Sequence, residues 1–226
     1  MKTQMNTLLV AAIAAVSIAP AAQALEAGDI IVRFGAATVA PNVSSGEIKL
    51  DGAAAGLGKA SVNNDTQIGF SGTYMFSSKW GVEVLAATPF EHDLTFDGGA
   101  MAGADIGSVK HLPPTVSAQF YPMGDSNSPW QPYVGVGVNY TVFFSEDVDS
   151  GLDAALGNTS MDLDDSFGLA AQAGLDYYIS DKWLVNASVM YADISTTATI
   201  KSDAGVVKVN ADLDPWVYRL NLGYKF

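Results

Sequence analysis

From residue 30 onward, apolar and polar side chains alternate along the chain with a period of two. The clearest stretch is the end. Trp216, Tyr218, Leu220, Leu222, Tyr224 and Phe226 share one face, and Val217, Arg219, Asn221, Gly223 and Lys225 share the other. Successive side chains of an extended chain point to opposite sides, so the pattern predicts a strand between two contrasting environments. The same alternation runs through residues 68–76, 130–140, 167–177 and 183–191, and more weakly through 30–34, 80–86 and 112–120, which makes eight strands.

The connections alternate as well. Residues 77–79, 122–129 and 180–182 are short and turn-like, whereas 43–64, 91–109, 146–165 and 195–212 are long and rich in Gly, Asp, Ser and Ala. Short and long links in strict alternation predict an antiparallel up-and-down order with both termini on the short-turn side.

Which face is outside follows from the side chains. A soluble barrel turns its apolar face inward and covers the outside with charge. Here the polar face is mostly Gly, Ser, Thr, Asn and Gln, while the bulky face carries no charge. Small polar groups suit a narrow lumen, and a bulky apolar face suits lipid. Trp80, Trp130 and Trp183 each open a strand directly after a short turn, all on the apolar face. They predict an aromatic girdle at one membrane interface. The expected fold is therefore all-β: an eight-stranded antiparallel up-and-down transmembrane β-barrel with short periplasmic turns and four long extracellular loops. A closed barrel also leaves no unpaired strand edge in lipid, which a sandwich would.

Composition narrows the function. Of 226 residues, 15% are charged, against roughly 25% in ordinary soluble domains. The formal charge of −13 is unsuited to gripping nucleic acid. The absence of cysteine excludes disulfides, thiolate metal sites and thiol catalysis. Residues 1–24 predict a cleaved signal peptide: Lys2 comes first, residues 8–18 are almost wholly apolar, and Ala22-Gln23-Ala24 has the small-x-small cleavage pattern. Residues 25–226 then form a single barrel domain, in which no run of about 18 apolar residues predicts a helical span.

Four charged residues, Arg33, Glu83, Asp176 and Arg219, take the inward parity. They predict a paired charge plug, Glu83 with Arg219 together with Arg33 and Asp176, because an unpaired buried charge costs several kcal/mol. Near the long-loop end, Pro89, Phe90, Leu94, Phe96, His111, Pro113, Phe143 and Phe144 predict an apolar upper lumen. Pro89, Pro113 and Pro114 lie on consecutive strands and each removes a ladder donor, so they predict a lateral exit through the wall. By parity Pro89 and Pro113 face inward and Pro114 faces lipid. His92 and His111 are the only histidines and are read as packed or surface residues, not as a metal site. The glycines of 135–137 lie inside a strand and form no dinucleotide loop. The acids of 146–165 read as a solvated loop, within which Leu152, Ala155 and Leu156 have helical spacing. No Ser–His–acid set stands at a matched strand depth, so no catalytic residue, cofactor or enzyme activity is expected.

The segments 80–90 (WGVEVLAATPF), 110–121 (KHLPPTVSAQFY) and 214–226 (DPWVYRLNLGYKF) resemble the outer membrane protein W family. The resemblance covers essentially the whole mature chain. It implies an outer-membrane barrel of a Gram-negative bacterium and passive uptake of small hydrophobic molecules by lateral diffusion. It also implies that Tyr224 and Phe226 form the carboxy-terminal signal read by the barrel-assembly machinery. Expected partners are outer-membrane lipid and lipopolysaccharide, that machinery and small hydrophobic solutes, with the barrel a monomer. The alternative is a structural or surface-interaction barrel whose loops contact lipopolysaccharide, phage or host without transport.

Overall fold

The computed structural model describes residues 24–226. Residues 1–23, including Ala22 of the expected cleavage site, lie outside the described residues, and Ala24 is the first within them. Eight strands build the wall: Ile30–Ala40, Asp65–Met75, Trp80–Ala87, Thr115–Phe120, Trp130–Val148, Ser166–Tyr178, Trp183–Ala192 and Trp216–Lys225. Each pairs antiparallel with the next. The first also pairs with the last, Val32 opposite Tyr224 and Thr38 opposite Tyr218, so the sheet closes without an edge.

Alternation in sequence becomes inside and outside. Val136 and Leu220 stand out from the wall at 68% and 62% exposure, while their strand neighbours Asn139 and Arg219 are buried within. At the short-turn end the three tryptophans pack on neighbouring strands, Trp80 on Phe120 at 4.9 Å, Trp130 on Tyr177 at 4.4 Å and Trp183 on Tyr224 at 4.9 Å. A second ring, Tyr140, Phe167, Tyr191 and Trp216, marks the other end of the apolar band, with Tyr191 and Trp216 5.4 Å apart. Two girdles bound the stretch that faces lipid.

The long connections are more ordered than their composition predicts. One sheet extension joins Lys59–Val62, Phe90–Asp97, Asp105–Leu112 and the outer half of Trp130–Val148. Another joins Ser160–Leu163, Ser195–Ser202 and Gly205–Asp212, with short pieces from residues 44–54. Between them Ser150–Leu156 is helical, its start capped by Asp149 Oδ1, which accepts from Gly151 N at 2.8 Å. These segments alternate too: His92, Leu94 and Phe96 are buried while Asp93 and Asp97 are exposed. Their polar half lies toward water, which is why composition alone makes them look like loops.

Inside, the barrel is layered. At the short-turn end Leu25, Ile31, Met75, Tyr121, Tyr133, Tyr178 and Leu184 pack into an apolar floor. Leu25 is fixed there by its N–H, which donates to the Gly124 carbonyl at 2.7 Å. The lower lumen is thus not polar throughout, as parity and the charged set alone predict. The segment around Leu25, before the first strand, folds under the barrel and closes it with hydrocarbon. Charge lies above this floor, and a second apolar core lies above the charge.

Candidate functional site

The charged layer brings Arg33, Glu83, Asp176 and Arg219 together from four strands, all nearly or fully buried. Arg33 donates from Nε to Asp176 Oδ1 at 3.0 Å, from Nη1 to Thr73 Oγ1 at 2.8 Å and from Nη2 to Tyr121 Oη at 2.9 Å. Glu83 Oε1 lies 3.5 Å from Arg219 Nη1 and 3.7 Å from Arg33 Nη1. Two cations and two anions meet, so the layer is neutral as a whole. Amides complete it. Gln172 donates to Glu83 Oε2 at 2.8 Å and accepts from Arg219 Nη2 at 2.6 Å, and Asn186 donates to Asp176 Oδ1 at 2.7 Å. The amides and tyrosines were not singled out from sequence, although they have the same inward parity as the charges.

Above the layer lies an apolar cavity of about 330 Å³. Of the residues expected there, Leu94, Phe96, His111 and Phe143 form its wall. Phe90 is buried behind the wall, 5.4 Å from the His111 ring. Phe144 alternates with Phe143 and is half-buried on the other face. Further wall comes from the extensions, including Ile48, Leu152, Met161, Ile200 and Val207. Leu152 was singled out only for its helical spacing and the others were not foreseen from sequence, but the alternation of 196–200 and 207–211 carried the signal. The polar side chains of the wall are His92, His111, Thr141 and Thr196.

The two histidines lie beyond the second girdle, outside the membrane-spanning part. Their Nε2 atoms are 3.0 Å apart, and His92 Nδ1 is 2.8 Å from the Asn63 carbonyl. Burial, with a smaller contribution from His92, lowers the His111 pKa to about 3, against a weak upward pull from Asp65. Burial also lowers that of His92, opposed by the Asn63 carbonyl and the carboxylates of Asp65 and Asp93. Both rings are neutral near pH 7.

One seam of the wall is interrupted beside this cavity. Between the third and fourth strands the ladder runs from Trp80–Phe120 to Leu85–Thr115 and resumes at Phe90–His111. Residues 86–89 and 112–114 have no ladder pair with each other. On the outer flanks pairing continues, with Ala87 opposite Gly69 and Leu112 opposite Val142. Pro89, Pro113 and Pro114, which lack N–H groups, sit in this interval. One side of the interval holds four residues and the other three, so the parity of the longer side is reset. Pro89 is therefore exposed and outside the cavity wall, contrary to its sequence parity. Pro113 is half-buried and Pro114 exposed.

Comparison with known proteins gives one answer. A sequence model of the OmpW family matches residues 26–226. The chain is 45% identical over 217 residues to "Outer membrane protein W" of Vibrio cholerae serotype O1, covering 96% of each. It is 46% identical over 224 residues to "Outer membrane protein W" of Escherichia coli K12, covering 98% of this chain and 100% of that one. Among solved structures, the crystal structure of the outer membrane protein OprG from Pseudomonas aeruginosa superposes with a TM-score of 0.86 at 49% identity, covering 91% of this chain and 99% of that one.

Proposed function

The chain belongs to the OmpW family and is an integral protein of the bacterial outer membrane, and we propose that it admits small hydrophobic molecules passively, releasing them sideways into the membrane. The observation that carries this reading is the apolar cavity with its floor and its side. Below it stand a layer of buried ion pairs and an apolar floor, and beside it lies the interrupted seam. A hydrocarbon loses its apolar surroundings on entering the charged layer, at about 25 cal/mol per Å². The route through the seam keeps it in contact with apolar groups and then lipid. In this reading Arg33, Glu83, Asp176 and Arg219 are the plug that denies an aqueous path. Pro89, Pro113 and Pro114 keep the seam unpaired.

The absence of cysteine allows a clean test. One cysteine beside Thr88 and one beside Pro113, placed at a separation a disulfide can span, lock the seam on oxidation. Uptake of a small alkane into cells should fall on oxidation and return on reduction. Unchanged uptake through a folded, locked barrel overturns lateral release.

Three smaller assignments belong to the same proposal. Cleavage after Ala24 frees Leu25 to close the floor. Tyr224 and Phe226, 4.7 Å apart with Phe226 exposed at the short-turn end, form the signal for the barrel-assembly machinery. The closed barrel works as a monomer among lipid and lipopolysaccharide.

A further inference from the structure

The hydrogens of the histidine pair can be assigned by elimination. A backbone carbonyl only accepts, so His92 Nδ1, 2.8 Å from the Asn63 carbonyl, carries the proton. His92 is neutral, which leaves its Nε2 as an acceptor. His111 Nε2, 3.0 Å away, must then be the donor. A neutral ring holds one N–H, so His111 Nδ1 is a bare acceptor. It is buried and has no hydrogen-bond partner among the described residues. The other polar groups of the wall are already committed as donors: Thr141 Oγ1 donates to Asn139 Oδ1 at 2.7 Å and Thr196 Oγ1 to the Asp164 carbonyl at 2.6 Å.

A buried acceptor without a donor is costly, and here it belongs to a ring in the wall of an apolar cavity. The ring is held in an aromatic slot, 5.4 Å from Phe90 and 5.8 Å from Phe143. We propose that His111, oriented by His92, is a polar subsite that favours apolar solutes carrying one hydrogen-bond donor, such as alcohols or phenols. A pure hydrocarbon leaves the nitrogen unpaired. An ether or a carboxylate offers only further acceptors. The nitrogen is shielded at rest, so an occupant reaches it with a shift of the His111 ring in its slot. The proposal rests on the uptake reading only for the solute's arrival in the cavity.

The test compares 1-octanol with 1-methoxyheptane, a similar chain without a donor. Binding is measured to the whole barrel in lipid nanodiscs at pH 7.5, with empty nanodiscs as the blank. The expected preference for the alcohol is roughly five- to tenfold, the value of one hydrogen bond to a buried acceptor. In His111→Phe the ratio between the two ligands should fall to near one. In the wild-type protein labelled with 15N-histidine, the alcohol should shift the His111 Nδ1 resonance and the ether should not. Equal binding of both ligands, or a preference that survives in His111→Phe, overturns the proposal while leaving uptake standing. Binding of neither ligand overturns both. If the variant does not fold, the resonance decides alone, and an Nδ1 signal indifferent to the alcohol rejects the subsite.

Discussion

Glu83 Oε1 and Arg219 Nη1 stand 3.5 Å apart in the lumen, both side chains almost wholly buried. They come from the third and eighth strands, which are not neighbours, so the pair ties the barrel across its interior. Glu83→Ala should strand Arg219 in a buried site and destabilise the barrel by about 3–5 kcal/mol. Glu83→Ala with Arg219→Ala should cost less than Glu83→Ala alone, because no charge is then left without its counterpart. Urea unfolding of the folded barrel in lipid checks this. Strictly additive losses exclude direct coupling.

Acid should loosen the long-loop end before the membrane-spanning part. His111 titrates near 3 in the fold and near 6.5 when unfolded. Between those values the unfolded form binds more protons, so stability falls as pH drops from about 6.5 toward 3. The loss from this group is of order a few kcal/mol. Asp65 and Asp93 face the pair and favour the protonated form, which moderates the effect. Amide protection in Phe90–Asp97 and Asp105–Leu112, corrected for the intrinsic pH dependence of exchange, should be lower at pH 5 than at pH 7.5, and His111→Phe should flatten that dependence. Corrected protection in these strands that is indifferent to pH contradicts it.

A methyl group should not fit at Gly174. A Cβ there meets Tyr133 Cζ and Oη at 2.4 Å. Gly174→Ala should therefore destabilise the barrel by about 1–3 kcal/mol, the usual cost of overpacking. Shortening the neighbour, as in Gly174→Ala with Tyr133→Leu, should recover part of that loss. A thermal melt of the two variants decides, and an uncoupled pair excludes the steric account.

Orientation can be read on whole cells. The hairpin Lys49–Leu50 to Ala53–Ala54 turns at Asp51 and Gly52, whose φ angles are positive and whose surroundings are open at Gly52. An epitope inserted at Gly52 should be labelled on intact cells. One at Asp125, in a short turn, should need permeabilisation. The reverse pattern inverts the barrel.

Alternation determined the wall from sequence alone. A strand exposes its two faces to different media, so Trp216–Lys225 and its counterparts recorded lipid and lumen in every second residue. The same parity placed Arg33, Glu83, Asp176 and Arg219 inside. It could not show that Arg33 also approaches Glu83 or that Gln172 and Asn186 complete the layer, because that depends on how eight registers stagger around a closed wall. Nor could it see the floor, where Leu25 belongs to no strand and is placed by the fold of the segment before the first one. The seam shows the limit most clearly. Parity carries through a strand only while the ladder is unbroken, and the extra residue opposite 112–114 resets it, so Pro89 is exposed and Phe90 is buried. Parity and the apolar residues near the long-loop end placed one side of the cavity, but its far wall and the contact between the two histidines were beyond reach for a related reason. Met161, Ile200 and Val207 lie far from Leu94 in segments whose composition is that of loops, and only their pairing above the barrel gives them a common interior.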